Sequence, residues 1–140
     1  MKRFAALAIS VPLLLAQAQR ELTITAVRHW SLSEVTRVAV EISGEFQFRT
    51  DRLHNPERVY FDILNSHPRI TSRPGYSETL EDRLVKRIRV AETVPGVTRV
   101  VLDMAEGVAV SSSQLANPER LVIEVRAAAA PPDANTSRPA

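Results

Sequence analysis

The chain has 140 residues, 18 Lys+Arg against 16 Asp+Glu, and no cysteine. Without cysteine there are no disulfides, thiolate nucleophiles or cysteine-held zinc, so the folded part relies on its apolar core alone. The near-balanced charge argues against nucleic-acid binding, which calls for a basic excess or stripe.

The first segment is not a folding element. Lys2 and Arg3 precede an apolar run from Phe4 to Leu15, which is followed by Ala16-Gln17-Ala18. A charged start, a short apolar stretch and a small-x-small site predict a secretory signal peptide over residues 1–18, with Gln19 as the mature N-terminus. The run falls short of the ~20 residues that a membrane span needs; an uncleaved N-terminal anchor is the alternative. Loss of Lys2 and Arg3 leaves 18 − 2 = 16 basic residues against 16 acidic ones, a formal net charge of zero. The expected location is the periplasm.

A single domain is expected over residues 19–126. Residues 22–28 are rich in Ile, Val and Thr and predict a first strand. In 36–42, Val38, Val40 and Ile42 alternate with Arg37, Ala39 and Glu41, the period of a half-buried strand. Phe46 and Phe48 alternate with Gln47 and Arg49, and Val59, Phe61 and Ile63 with Arg58, Tyr60 and Asp62. Ser43-Gly44 marks a turn in which Gly allows positive φ. Asn55-Pro56 marks a bend, with proline directing Asn55 toward extended geometry. Residues 64–79, with Pro68, Pro74 and Gly75, read as a linker. A strand is predicted at 84–90, and the pattern of 36–63 then returns.

That return is an internal repeat. Thr36 and Thr98 are 98 − 36 = 62 residues apart, and so are Asn55 and Asn117, 117 − 55 = 62. Residues 36–63 align with 98–125 without a gap, and eight positions are identical: Thr36-Arg37-Val38, Leu53 and Asn55-Pro56-Glu57-Arg58 match Thr98-Arg99-Val100, Leu115 and Asn117-Pro118-Glu119-Arg120. Two copies are too few for a solenoid but enough to face each other. The predicted fold is all-β, a sandwich of two similar four-stranded, mainly antiparallel sheets from an internal duplication. Its core is predicted to hold Val38, Val40, Phe46, Phe48, Val59, Phe61, Ile63, Val100, Leu102, Val108, Val110, Leu121, Ile123 and Val125. Residues 127–140, AAAAPPDANTSRPA, have too few large apolar side chains to offset their ordering entropy and predict a disordered tail or linker.

The repeated motifs resemble a known family. TRVAVEI (36–42) and TRVVLDM (98–104), LHNPERVYFDI (53–63) and LANPERLVIEV (115–125), and IRVAETVPGVTRVVLD (88–103) are similar to the AMIN domain over about residues 22–126. The resemblance implies a symmetrical pair of four-stranded sheets that binds peptidoglycan. Such domains stand N-terminal to zinc N-acetylmuramoyl-L-alanine amidases and in some outer-membrane secretins, often at the division site. Three readings follow: a non-catalytic peptidoglycan-binding and targeting module, the N-terminal targeting portion of such an amidase, or a protein-interaction domain of a secretin-type complex. The partners expected are peptidoglycan and, with it, an amidase catalytic domain or envelope and divisome proteins.

The residues themselves offer no catalytic pattern. His29, His54 and His67 lack H-E-x-x-H or comparable spacing, and there is no Gly-rich phosphate loop or G-x-S-x-G elbow. No enzyme activity, cofactor or metal is expected. The candidate ligand contacts are Arg37, Arg58, Tyr60, Arg99, Arg120 and Trp30. Arg presents a planar fork to the carboxylates of peptidoglycan, and an aromatic face stacks on sugars. The competing role for these arginines is cross-strand pairing with Asp or Glu, and Trp30 is either a core plug or an exposed platform. Arg37 is the counterpart of Arg99 and Arg58 of Arg120, so two related weak contacts are expected on opposite outer faces.

Overall fold

A computed structural model describes residues 20–128. The predicted signal peptide with its cleavage site, and all but the first two residues of the predicted tail, lie outside the described residues. Ten strands run in chain order: β1 (Leu22–Leu32), β2 (Val35–Ile42), β3 (Phe48–Leu53), β4 (Arg58–Leu64), β5 (Ser66–Pro68), β6 (Gly75–Thr79), β7 (Val85–Val94), β8 (Val97–Met104), β9 (Val108–Leu115) and β10 (Arg120–Ala127). They form two five-stranded sheets, ordered β5-β1-β2-β10-β9 and β3-β4-β8-β7-β6. Each sheet is antiparallel apart from the parallel β1–β5 pair.

The sandwich is as predicted, but the count of four strands per sheet is corrected to five. The extra strands, β5 and β6, come from the stretch read as a linker. Ser66-His67-Pro68 is too short to show a period, and in β6 only Tyr76 offers a large apolar side chain. Nor does each half of the sequence form its own sheet. β1 and β2 join β9 and β10 in the first sheet, while β3 and β4 join β7 and β8 in the second. The halves are interleaved because β2 pairs with β10 and β4 pairs with β8, long-range contacts that no local pattern encodes.

Strand parity sets the core. Val38, Val40, Ile63, Val100, Leu102, Leu121, Ile123 and Val125 are fully buried, and Phe61 nearly so. Phe48 and Val110, also assigned to the core, are only partly buried but pack against it. Ile24, Leu84, Val85, Ile88 and Val90, from strands and turns outside the repeat, complete the core together with Ile42 and Met104, a counterpart pair within it.

The Asn-Pro bends also differ from expectation. Asn55 and Asn117 sit in the left-handed region, φ 56 and 61, each before a cis proline, rather than in extended backbone. Asn tolerates this region better than most side chains do. Gly107 takes positive φ as its turn requires (φ 69). Gly44 serves a different purpose: a Cβ there would lie 3.2 Å from Leu22.

One carboxylate clamps the two sheets. Asp82, in the turn before β7, accepts hydrogen bonds from Ser31 (2.5 Å) and Thr36 (2.6 Å) of the first sheet and from the backbone N–H groups of Leu84 and Val85. Burial opposes its ionisation, but these four donors outweigh burial and hold its carboxyl below the ordinary range. Its stabilisation is therefore present above the unfolded carboxylate's pKa, about 4, and is lost as pH falls through the lower folded value. Thr98, the counterpart of Thr36, is equally buried, but its hydroxyl has no partner among the described residues. Thr36→Val is expected to cost about 1–2 kcal/mol in urea melts, whereas Thr98→Val is neutral or stabilising, since it removes an unsatisfied buried hydroxyl.

Candidate functional site

The outer face of the first sheet is built by register. Trp30 on β1 lies beside Arg37 on β2, Arg37 beside Glu124 on β10, and Glu124 beside Ser111 on β9. The next row inward on the same face runs Arg28, Ala39, Val122 and Ser113, and the one after it Ala26, Glu41, Arg120 and Leu115. The middle of this face is small and apolar while its surroundings are large. The result is a trough of about 480 Å³ lined by Trp30, Leu32, Arg37, Ala39, Ser113, Leu115, Arg120, Val122 and Glu124. Ala39 and Val122 form its floor and are buried although they point outward. Trp30 is 47% exposed, which decides that it is a wall of the trough and not a plug in the core.

The trough's charges are unequal. Arg37 is committed: its Nη2 donates to Glu124 Oε1 at 2.8 Å. Arg126 donates to the other oxygen of Glu124, and these two bonds, that from Arg126 first, hold the Glu124 carboxyl below its ordinary range. Arg120 is different. Its Nη1 donates to the carbonyls of Ala116 (3.2 Å) and Pro118 (2.8 Å) in the Asn-Pro turn, which orients the fork, and it has no carboxylate partner among the described residues. Glu41, across from Arg120, is instead bonded to Arg28.

On the second sheet the candidates are arranged otherwise. Arg99 grips Asp62 with two hydrogen bonds of 2.8 and 2.9 Å, and its guanidinium lies 4.1 Å over the Tyr60 ring. The hydrogen bond to Asp62 is the main cause of its raised pKa. Arg87 and Arg89 both bond Asp103. Arg58 reaches only the Pro56 carbonyl at 3.4 Å, and it too has no carboxylate partner among the described residues. Trp30, Arg37 and Arg120 are thus brought together on one face, and Arg58, Tyr60 and Arg99 lie on the other. Counterpart arginines do sit on opposite faces, but each face mixes residues from both halves of the sequence.

The histidines do not converge. His29 pairs with Glu78, His54 with Glu57, and His67 accepts from Arg69. Among the described residues no group of three or more His, Cys, Asp or Glu is placed to hold a metal ion.

The AMIN domain model matches residues 26–125. This chain belongs to the AMIN domain family. It is also similar to two proteins named N-acetylmuramoyl-L-alanine amidase AmiC. The one from Escherichia coli O6:H1 (strain CFT073) is 32% identical over 110 residues, which cover 73% of this chain and 26% of the amidase. The one from Neisseria meningitidis serogroup B is 28% identical over 93 residues, 65% of this chain and 22% of the amidase. The chain therefore spans about a quarter of the length of these relatives.

Within this AMIN domain, the lining residues that sequence reasoning passed over are Leu32, Ala39, Ser113, Leu115 and Val122. A signal was present for two of them. Parity turns Ala39 and Val122 outward, and apolar residues on an outward face mark a surface that something covers. Leu32 and Leu115 flank turns, where no period operates.

Proposed function

We propose that this AMIN domain is a non-catalytic module that binds peptidoglycan and holds a cell-wall amidase against its substrate, in the periplasm of a dividing cell. The observation that carries the proposal is the trough on the first sheet. It combines an exposed indole, a small apolar floor and a guanidinium without a carboxylate partner. An indole face stacks on the apolar side of a sugar ring, and the fork of Arg120 fits a carboxylate of the glycan or its stem peptide. The kinship with two amidases supports the partner, and the matched share of about a quarter suits a part that positions a larger enzyme. The N-terminal signal-like segment supports export. The 62-residue repeat and the matched strand roles in the two sheets support an origin by duplication of one unit, whose copies later exchanged strands.

The test is cosedimentation of the purified chain, without residues 1–18, with isolated sacculi. The protein is expected to pellet with sacculi, less so in raised salt, because an exposed arginine–carboxylate contact is screened over ~8 Å at physiological ionic strength. It is also expected to release no muropeptide from them. Protein left in the supernatant at low salt would refute the binding role, and solubilised wall fragments would refute the non-catalytic one.

A further inference from the structure

The four edges of the two sheets are not alike. β5 has three residues and ends on Pro68, and β6 has five and follows Pro74. β3 carries Arg49, Asp51 and Arg52 within six residues. Short edges, prolines and charges are the usual means by which a sheet refuses a further strand. β9 has none of them. It runs eight residues, VAVSSSQL, without charge or proline, and pairs with β10 in unbroken register. Residues 111–115 are all exposed, and among the described residues β9 pairs with β10 alone.

The repeat supplies an internal comparison. β3 and β9 occupy the same place, the outermost strand beside β4 and β10 respectively. At the offset of 115 − 53 = 62, Arg49, Thr50, Asp51, Arg52 and Leu53 correspond to Ser111, Ser112, Ser113, Gln114 and Leu115. Every charge that guards the β3 edge is a small or neutral polar residue at the β9 edge. The fold does not demand this, since β3 keeps its charges in the same setting.

We propose that β9 is a self-association edge, through which two copies of this chain join as antiparallel strands into one continuous sheet. The occupant is a second copy because the strand is complementary to itself. A two-fold axis through Ser112 sets Ser111 against the second copy's Ser113 and Val110 against its Gln114, so that like faces meet and no charges oppose. Serines at the axis let the strands approach and can hydrogen-bond across it. The pairing closes at two, because each copy uses up the only unguarded edge among its described residues, and the outer ends of the joined sheet are then the three-residue β5 strands. Both Trp30 troughs then lie on one face of the joined sheet, which suits a polymer ligand with repeated contacts. The association itself does not depend on what the trough binds.

Sedimentation velocity of the purified chain up to millimolar concentration tests the proposal, together with the double substitution Ser111→Lys/Ser113→Lys. Both side chains are exposed, so circular dichroism is expected to be unchanged. A monomer–dimer equilibrium is expected, and the double substitution, which sets ammonium groups against each other across the axis, weakens it by roughly tenfold or more. In the unsubstituted chain, amide exchange at residues 111–114 slows as concentration rises. A monomer at every concentration overturns the proposal, and so does a dimer that the substitutions leave intact, or concentration-dependent protection confined to other strands. Capture of an uncharged extended peptide by a chain that stays monomeric also overturns it, since the edge then serves a foreign strand.

Discussion

If the trough is the peptidoglycan site, Trp30→Ala is expected to lower affinity for sacculi roughly thirtyfold, about 2 kcal/mol, and to leave the fold intact. Trp30 is the chain's only tryptophan and stands 47% exposed as a wall of the trough. An exposed indole over a small apolar floor has the makings of a binding hot spot, where one aromatic group carries much of the energy. Because it is not in the core, its loss is expected to change stability by less than about 1 kcal/mol. Arg120→Ala gives a smaller, salt-sensitive loss, since it removes a charge that is already oriented by two carbonyls. Arg99→Ala leaves binding almost unchanged, because that guanidinium is engaged with Asp62 and Tyr60. Cosedimentation isotherms for the three variants decide the matter. If Arg99→Ala abolishes binding and Trp30→Ala does not, the ligand face is the second sheet and the present assignment is wrong.

Phe61→Ala costs roughly 3–5 kcal/mol of stability, the largest effect expected of any single truncation in this domain. Phe61 is the largest of the most deeply buried core side chains and packs against Phe48 with tilted rings 5.9 Å apart, and Phe48 in turn lies 6.1 Å from Phe46. Truncation opens a cavity between rigid strands, where little can move to fill it. Arg58, three residues earlier, points to the other face and makes only one long hydrogen bond, to the Pro56 carbonyl. Arg58→Ala is expected to stay within about 0.5 kcal/mol. The two urea midpoints test strand parity directly, and equal destabilisation would mean that the faces are misassigned.

Much of this architecture was legible in the residues. The alternation in 36–42, 58–63, 98–104 and 120–125 places each side chain on its face, because a strand's period is two and a slip of one residue would turn every apolar group toward water. The repeat located the Asn-Pro turns and the counterpart arginines. The candidate site was only half legible. Arg37, Arg120 and Trp30 were named, but so were Arg58, Tyr60 and Arg99, and nothing local separates the two groups. Arg37 and Arg99 have the same flanking residues, yet one borders a trough and the other closes over a tyrosine.

The sequence by itself determined eight of the ten strands, their inward and outward faces, the bends at Asn-Pro, and membership of a family with a repeated motif. These depend on neighbours a few residues away, and short-range sterics and burial periodicity fix them. Only the tertiary structure decided which strands share a sheet. The pairing of β2 with β10 joins residues from 120 − 41 = 79 to 126 − 35 = 91 positions apart, and that of β4 with β8 residues from 97 − 64 = 33 to 103 − 58 = 45 apart. Those pairings place Trp30, from the first strand, and Arg120, from the last, around one trough. They also leave β9 as an edge. Side chains that are remote in the chain become neighbours only when backbone hydrogen bonds and a shared core favour one sheet order over the others.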